Sequence, residues 1–579
     1  MALRNTRQLL TVKKNQIAYF SMEIGFRSDI PTYSGGLGVL AGDTLKSFAD
    51  LGIDVVAVTL LNEKGYFKQN IDEWGYQREE YTSWPFEKEL EKLDVTINVF
   101  IEGRIVKVSA WRYNLVGVKG KKVSIIFLDT NLEDNHDDDR GLTSHLYGGD
   151  NLYRLRQEIV LGIGGIKILR ELGYNPRKYH MNEGHAAFLI LELYRELHSL
   201  SDEKGVYEDE KKRILQELCS FTTHTPVAAG HDVFPNEMIE KQLGSVMPKY
   251  ILDLVTRDGK FNMTLLALNY SSYVNAVARK HQEVSKRMFP EFHIHYITNG
   301  VHSTTWVSDR IAAVFDKHII DWRVNPLELR NSYKIPLEEL QSAHQKAKQD
   351  LFDYIKETQG VEFDTNIFTI GFARRATGYK RAELLFRNID WLKHISRTVG
   401  KIQLVFAGKA HPHDDNGKHI IQHIINLSKE LSPTVDIVFL ENYNMDVSLK
   451  MVSGVDLWLN TPKRPLEASG TSGMKATHNG VPSLSIPDGW WVEGLIEGVT
   501  GWGIGQEIIT EHDDNKIDEM DANDLYEKLE KQIVPLYYND PMAYVTVMRN
   551  AIAINAAYFN THRMVNQYLV GAYARNNKV

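Results

Sequence analysis

Short apolar, β-branched runs alternate with helix-length segments along this chain, and the series occurs twice. In the first half "IAYFSM" leads into Gly35-Gly36-Leu37-Gly38 and then into "LAGDTLKSFADLG", whose apolar spacing is helical. "IDVVAVTLL", "VSIIFLD", the helix-like "HAAFLILELYRELHSL", "CSFTTHT" and "HYITNG" continue the pattern. Residues 307–360 read as mostly helical. A second series then runs through "IFTIGFA", "IQLVFAG", "VDIVFLE", "VDLWLN" and "VPSLSIP". This order predicts an α/β fold of two doubly wound parallel-sheet domains. In such sheets ligands bind beyond the carboxyl ends of the strands, where helix N-termini also point. The loops "SGGLG", "TTHT", "ARRATGYKR" and "EASGTSG" are expected there, and two sheets facing across a cleft would bring them together.

The length of 579 residues exceeds what one hydrophobic core organises. A hydrophobic content of 43% with 25% charged residues is that of a globular enzyme. The net charge of −8 argues against a nucleic acid or an acidic membrane as partner, while leaving room for a local basic pocket. Cys219 is the sole cysteine, so no internal disulfide forms, which fits a reducing, cytoplasmic setting. No apolar stretch reaches the ~18 residues of a membrane span. The N-terminal "MALRNTRQLLTVKKNQ" lacks a signal-type apolar stretch and reads as a short surface lead-in.

The chemistry concentrates in a few loops. "EASGTSGMKATHNG", residues 467–480, sets small residues ahead of one lysine, Lys475. Small residues leave room for a bulky group against the backbone, and a desolvated lysine near other cations loses its proton more readily. Such an amine condenses with an aldehyde. Pyridoxal 5′-phosphate is an aldehyde with its own phosphate, to which Gly470–Gly473 could present N–H donors. The plain alternative is an ordinary surface lysine. Gly35-Gly36-Leu37-Gly38 is either an anion-binding turn or simply a tight turn. Arg374, Arg375, Lys380 and Arg381 follow a strand and read as a basic pocket for phosphate rather than a solvated face. His224 stands at a strand end before a proline, and a lone histidine there is more often structural than catalytic. His180 and His185 lack the H-E-x-x-H spacing and an evident third ligand, so no metal site is expected. "HPHDDNGKH" (411–419) and "HDDD" (136–139) read as exposed loops.

Taken together these residues resemble the glycogen/α-glucan phosphorylases. "EASGTSGMK" followed by "NG" and "DG" is similar to that family's cofactor-attachment region. "SME" (21–23), "GGLG" (35–38), "RLRQE" (154–158), "NEGH" (182–185), "THT" (223–225), "VNAVARKH" (274–281), "TNG" (298–300), "RRATGYKR" (374–381) and "ENY" (441–443) match in the same order. The likeness is to the short microbial forms. Eleven residues separate "SME" from "GGLG", and Glu183 stands where the long animal-type enzymes carry aspartate.

The resemblance implies the GT-B architecture, with residues 1–300 as an N-terminal Rossmann-like domain. Residues 301–579 would form the C-terminal, cofactor-binding domain, its final helices packing back on the first. It implies phosphorolysis of terminal α-1,4 bonds of glycogen, starch or maltodextrin by inorganic phosphate, giving α-glucose 1-phosphate with retention. Lys475 would be the pyridoxal 5′-phosphate lysine, with Tyr443 beside the cofactor and Thr471, Ser472, Gly473 and Gly36 near its phosphate. Arg375 and Lys380 would hold the two phosphates together. Glu467, Ser469, Gly470, Asn299 and Leu37 would face the reacting glucose, and His224 would offer it a backbone carbonyl. A homo-oligomer is compatible with the likeness. Glycosidases work with two carboxylates; here the substrate phosphate would serve as acid and nucleophile, its proton tuned by the cofactor phosphate. Two other functions share parts of this pattern. A nucleotide-sugar glycosyltransferase of the same architecture would not need Lys475, and a non-catalytic glucan-binding protein would not need Arg375 and Lys380.

Overall fold

The computed structural model describes residues 16–81, 83–201, 208–227, 230–507 and 511–574. The lead-in expected over residues 1–16 lies outside them, apart from Gln16, which is buried.

Two sheets organise the chain. The first has nine strands in the spatial order His295–Tyr296, Tyr273–Ala276, Cys219–Thr222, Lys178–Asn182, Ile17–Ser21, Val55–Leu60, Lys122–Asp129, Arg104–Val116, Glu91–Ile101. All neighbours pair in parallel up to Lys122–Asp129; the last two strands form an antiparallel hairpin on that edge. The second sheet is wholly parallel, in the order Val435–Leu440, Ile402–Ala407, Phe368–Ala373, Leu457–Asn460, Ser483–Ser485, Gly501–Gly503. Numbered along the chain it reads 3-2-1-4-5-6, and the parallel part of the first sheet reads 3-2-1-4-5-6-7. Both are doubly wound orders. Strand addition reverses direction between strands 1 and 4, and a crevice opens beyond their carboxyl ends.

Strands Ile17–Ser21, Val55–Leu60, Phe368–Ala373 and Ile402–Ala407 are buried at every residue. Successive side chains enter different cores. Phe20, Val58 and Ile126 pack on one face of the first sheet, and Tyr19, Ala57 and Ile125 on the other. Phe372 and Phe406 are divided in the same way from Ala373 and Ala407. Helices cover both faces, so these strands read as unbroken apolar runs. In the edge strand Glu91–Ile101, buried Ile97, Val99 and Ile101 alternate with exposed neighbours, because one face meets water. The βα alternation that marks the rest of the sheet does not announce this hairpin.

Two elements tie the sequence halves together. Helix Thr561–Gly571 returns to the first sheet, where Met564, Val565 and Tyr568 join the core that holds Leu45 and Phe48. A hairpin of Lys68–Ile71 and Gln77–Glu80 reaches the other way. Its Gln69 side chain donates to the Gly408 carbonyl at 2.9 Å, and Gln77 exchanges two hydrogen bonds with the Ala410 backbone.

Two stretches expected to be exposed loops differ. Residues 415–419 form the first turns of helix Asp415–Leu431, capped by the Asp414 carboxylate, and Lys418 is buried on Glu79. In residues 136–139, Asp139 is buried because Arg104 forks onto it at 2.7 and 2.8 Å.

Candidate active site

The carboxyl ends of both sheets open onto one cleft of about 610 Å³. Each sheet sends a glycine-led helix N-terminus to it. Strand Ile17–Ser21 feeds a loop that ends at helix Gly36–Asp50, whose cap residue Gly35 has no side chain to satisfy the first turn. Strand Leu457–Asn460 likewise feeds helix Thr471–His478, capped by Gly470 with φ +87°. An added Cβ at Gly470 would also crowd the Glu467 carboxylate at 3.2 Å, so glycine alone fits without strain. The N–H groups of Gly36, Leu37 and Gly38, and of Thr471, Ser472 and Gly473, have no intrahelical acceptor, which makes each turn an anion cradle. Gly38 has a steric duty as well, since a Cβ there would meet Glu23 Oε2 at 2.7 Å.

Around these cradles the cleft gathers six cations, Arg154, Arg374, Arg375, Lys380, Lys409 and Lys475, against four carboxylates, Glu23, Glu183, Asp232 and Glu467. Arg374 Nη2 and Lys380 Nζ both reach Glu467 Oε2, at 2.5 and 2.6 Å. Burial alone would push the Glu467 carboxyl up, but these two charges outweigh it and hold it down at about 2. Arg374 Nη1, Ser469 Oγ and Asn299 Oδ1 are buried without a hydrogen-bond partner. Orphaned polar atoms of this kind, facing one cleft, are what a polar ligand would satisfy. Arg375 is exposed into the same space and makes no ion pair among the described residues.

Lys475 is buried, with Nζ 3.7 Å from the centroid of the Trp306 ring. Burial lowers its amine to about 8, partly opposed by the Asp43 carboxylate. Lys409 is also brought to about 8 by burial, and its Nζ donates to the Phe67 carbonyl at 2.7 Å. Tyr443 lines the cleft and donates to Ser448 Oγ at 2.9 Å; burial raises its phenol to about 12. Across the cleft Glu183 holds a positive φ of +75° and accepts the His224 N–H at 2.7 Å. His224 Nε2 meets Asn182 Oδ1 at 2.7 Å, and burial lowers the ring to about 4, so the imidazole is neutral.

Of the residues singled out in the sequence, Gly36, Leu37, His224, Asn299, Arg375, Lys380, Tyr443, Glu467, Ser469, Gly470, Thr471, Ser472 and Lys475 all line this one cleft. Gly473 stands behind it. Its missing side chain makes room for Trp490, whose Cζ2 would be 2.7 Å from a Cβ there. Arg381 departs from the basic pocket expected for all four cations of its loop. With φ +47° it turns away and is buried on Asp518 and Asp521. His180 is packed inside, against Thr222 and Tyr573. His185 acquires companions that its sequence neighbours did not disclose: the ligand-capable atoms of Glu158, His185 and Asp232 lie within 4.8 Å of one another. Arg374, expected in the basic pocket, does line the cleft, whereas sequence reasoning passed over Glu23, Arg154 and Lys409 as site residues. Lys409 sits two positions past the parallel strand Ile402–Ala407, and that position is the signal that could have found it.

A doubly wound α/β protein with a cation-lined cleft shared by its two sheets is the class that fold and site define. The chain belongs to the carbohydrate phosphorylase family, whose profile matches residues 245–533. It is 40% identical to the maltodextrin phosphorylase of Thermococcus litoralis, over 96% of this chain and 70% of the relative. It is 36% identical to the glycogen phosphorylase of Aquifex aeolicus, over 97% of this chain and 86% of that one. It is 35% identical to the glycogen phosphorylase of Mycobacterium tuberculosis, over 96% and 70%. No helix among the described residues is long and apolar enough to cross a membrane.

Proposed function

We propose that the chain is an α-1,4-glucan phosphorylase that uses pyridoxal 5′-phosphate and transfers the terminal glucose of a glycogen- or maltodextrin-like chain to inorganic phosphate. The observation that carries this is the meeting, in one cleft, of a desolvated lysine, two open helix N-termini and the cations of the 374–380 loop. The residues present fit the cofactor. The Lys475 amine at about 8 is reactive toward an aldehyde near neutral pH, and the partnerless Arg374 Nη1 and the glycine-led cradles suit phosphate oxygens.

In this reading Lys475 would hold the aldehyde and Tyr443 would lie beside the cofactor. Thr471, Ser472, Gly473 and Gly36 turn backbone N–H groups toward the phosphates. When bound, the cofactor supplies a phosphate acid–base group next to the substrate phosphate. Two phosphates side by side repel, and Arg375, Lys380, Arg374 and the helix N-termini offset that repulsion. Because Arg374 and Lys380 already neutralise Glu467, the carboxylate stays ionised and accepts hydrogen bonds from sugar hydroxyls instead of donating a proton. Ser469, Asn299, Gly470, Leu37 and the His224 carbonyl complete the sugar's surroundings. Residues 1–300 and 301–579 act as the two lobes of a GT-B arrangement, with helix Thr561–Gly571 returning to the first.

The test is release of glucose 1-phosphate from maltodextrin. We expect it to require both added phosphate and bound pyridoxal 5′-phosphate. Sugar transfer from a nucleotide sugar without either would favour the glycosyltransferase alternative and overturn this proposal.

A further inference from the structure

One buried carboxylate beside Lys475 plays no part in the function proposed above. Asp43 lies within helix Gly36–Asp50 and is 1% exposed. Its Oδ2 accepts the Trp306 indole N–H at 2.7 Å and the His302 backbone N–H at 3.1 Å, while Oδ1 is buried with no partner. The other side of the indole is the seat of Lys475, with Nζ 3.7 Å from the ring centroid. Trp306 thus stands between a carboxylate at its edge and an amine on its face. The two charged groups come from opposite sequence halves, Asp43 from helix Gly36–Asp50 and Lys475 from helix Thr471–His478.

Two physical effects run through this stack. A carboxylate hydrogen-bonded to an indole N–H draws the ring's positive edge toward itself and leaves the face richer in electrons, which favours a cation above it. The carboxylate charge also acts on the amine directly, with little water between to screen it. Other charges face the pair. Burial raises the Asp43 carboxyl above its ordinary range, and Lys46, which donates to Thr305 Oγ1 at 2.9 Å, opposes that together with Lys475, while burial lowers the His302 ring. Asp50 is engaged by His302 and His562. His478, on the Lys475 helix, bonds Ser303 Oγ and the Met474 carbonyl. The one carboxylate among the charges acting on Lys475 is Asp43.

We infer that Asp43, acting through Trp306, is a positioning residue for Lys475: it fixes the indole face beneath the amine and biases the amine toward its ammonium form. The inference rests on the proposed role of Lys475 as the cofactor lysine. Burial pulls that amine toward neutrality and Asp43 pulls it part of the way back, so Asp43 raises the pH at which the lysine becomes a nucleophile. Attachment joins Nζ to the aldehyde carbon with loss of one water, and only the neutral amine can begin it.

The experiment uses the full chain freed of cofactor, with pyridoxal 5′-phosphate as probe. The rate of covalent attachment is followed from pH 6 to 10 by borohydride trapping and peptide mass analysis. For the wild type we expect label on Lys475 and a rate that rises with pH through one midpoint. Asp43→Asn keeps the shape and removes the charge. It should lower the midpoint by about one pH unit, and so speed attachment near pH 7 up to about tenfold. Trp306→Phe keeps a ring under the amine but loses the N–H, and should move the midpoint the same way by a smaller step. A purely structural role for Asp43 predicts changed stability with no displacement of the midpoint. The inference is overturned if the variants fold, take label on Lys475 and share the wild-type midpoint; should Asp43→Asn not fold, Trp306→Phe decides alone. Wild-type label on another lysine, or on none, overturns the cofactor proposal and this inference together.

Discussion

Replacing Lys475 by methionine should make the cofactor-free protein more stable while abolishing its function. Lys475 is buried and its amine is lowered from 10.5 to about 8. Below pH 8 the folded chain keeps a charge where water cannot solvate it. A displacement of about 2.5 units corresponds to a cost of about 3.4 kcal/mol. The contact with the Trp306 face returns roughly 1–2 kcal/mol of that, and methionine forfeits it. The net gain for Lys475→Met near pH 7 is therefore about 2 kcal/mol. Spread over the unfolding entropy of a 579-residue chain, about 2.1 cal/mol/K per residue, it raises Tm by about 2 °C. The sign of the pH dependence follows from linkage. Between pH 8 and 10.5 the unfolded chain binds the proton and the folded chain does not, so wild-type stability rises with pH through that window. The advantage of the variant should shrink as pH rises and vanish above it. Calorimetry of both proteins at pH 7 and pH 10, taken as a difference so that other titrations cancel, measures this. A variant that melts at or below the wild type at pH 7, or a difference that does not narrow by pH 10, refutes the idea that Lys475 is held there at the expense of stability.

Arg375→Ala should weaken the use of phosphate about tenfold or more, since a charge-assisted contact contributes roughly 1.5–3 kcal/mol, and phosphate saturation kinetics will read it; unchanged saturation with lost glucan binding would remove Arg375 from that role. Glu467, held at about 2 in the folded protein against 4.5 in an exposed chain, contributes stability that is present above pH 4.5 and lost as pH falls toward 2. Glu467→Gln should flatten acid unfolding in that window by up to about 3 kcal/mol, whereas an unchanged acid limb would show that Arg374 and Lys380 do not govern it. Pyridoxal without its phosphate should attach to Lys475 yet support almost no turnover, and borohydride reduction of the intact holoenzyme should leave substantial glucose 1-phosphate release. Activity that disappears on reduction, in protein still folded and loaded, would mean that the ring does more than anchor.

The sequence by itself determined the doubly wound character of both halves, because a strand covered on two faces must be apolar throughout and the crossover helix must follow it. It also determined which loops meet at the cleft. A parallel sheet exposes its ligand-binding edge only at the carboxyl ends of strands, and "SGGLG", "TTHT", "ARRATGYKR" and "EASGTSG" all fall there. The small residues before Lys475 were legible for the same local reason, a glycine at positive φ opening a helix N-terminus. What remained hidden depends on distance along the chain. Nothing near Arg381 indicates that it turns to Asp518 and Asp521, while Arg374, seven residues earlier, turns to Glu467. Nothing near His185 announces Glu158 and Asp232, 27 and 47 residues away in sequence. The edge hairpin of Glu91–Ile101 and Arg104–Val116 breaks the βα rhythm on which the fold was read. The charge state of a group was the least legible property of all. Lys475 is a poised amine because Trp306, Asp43 and a closed interior surround it, and burial with opposing charge is a sum over neighbours that only the folded chain assembles.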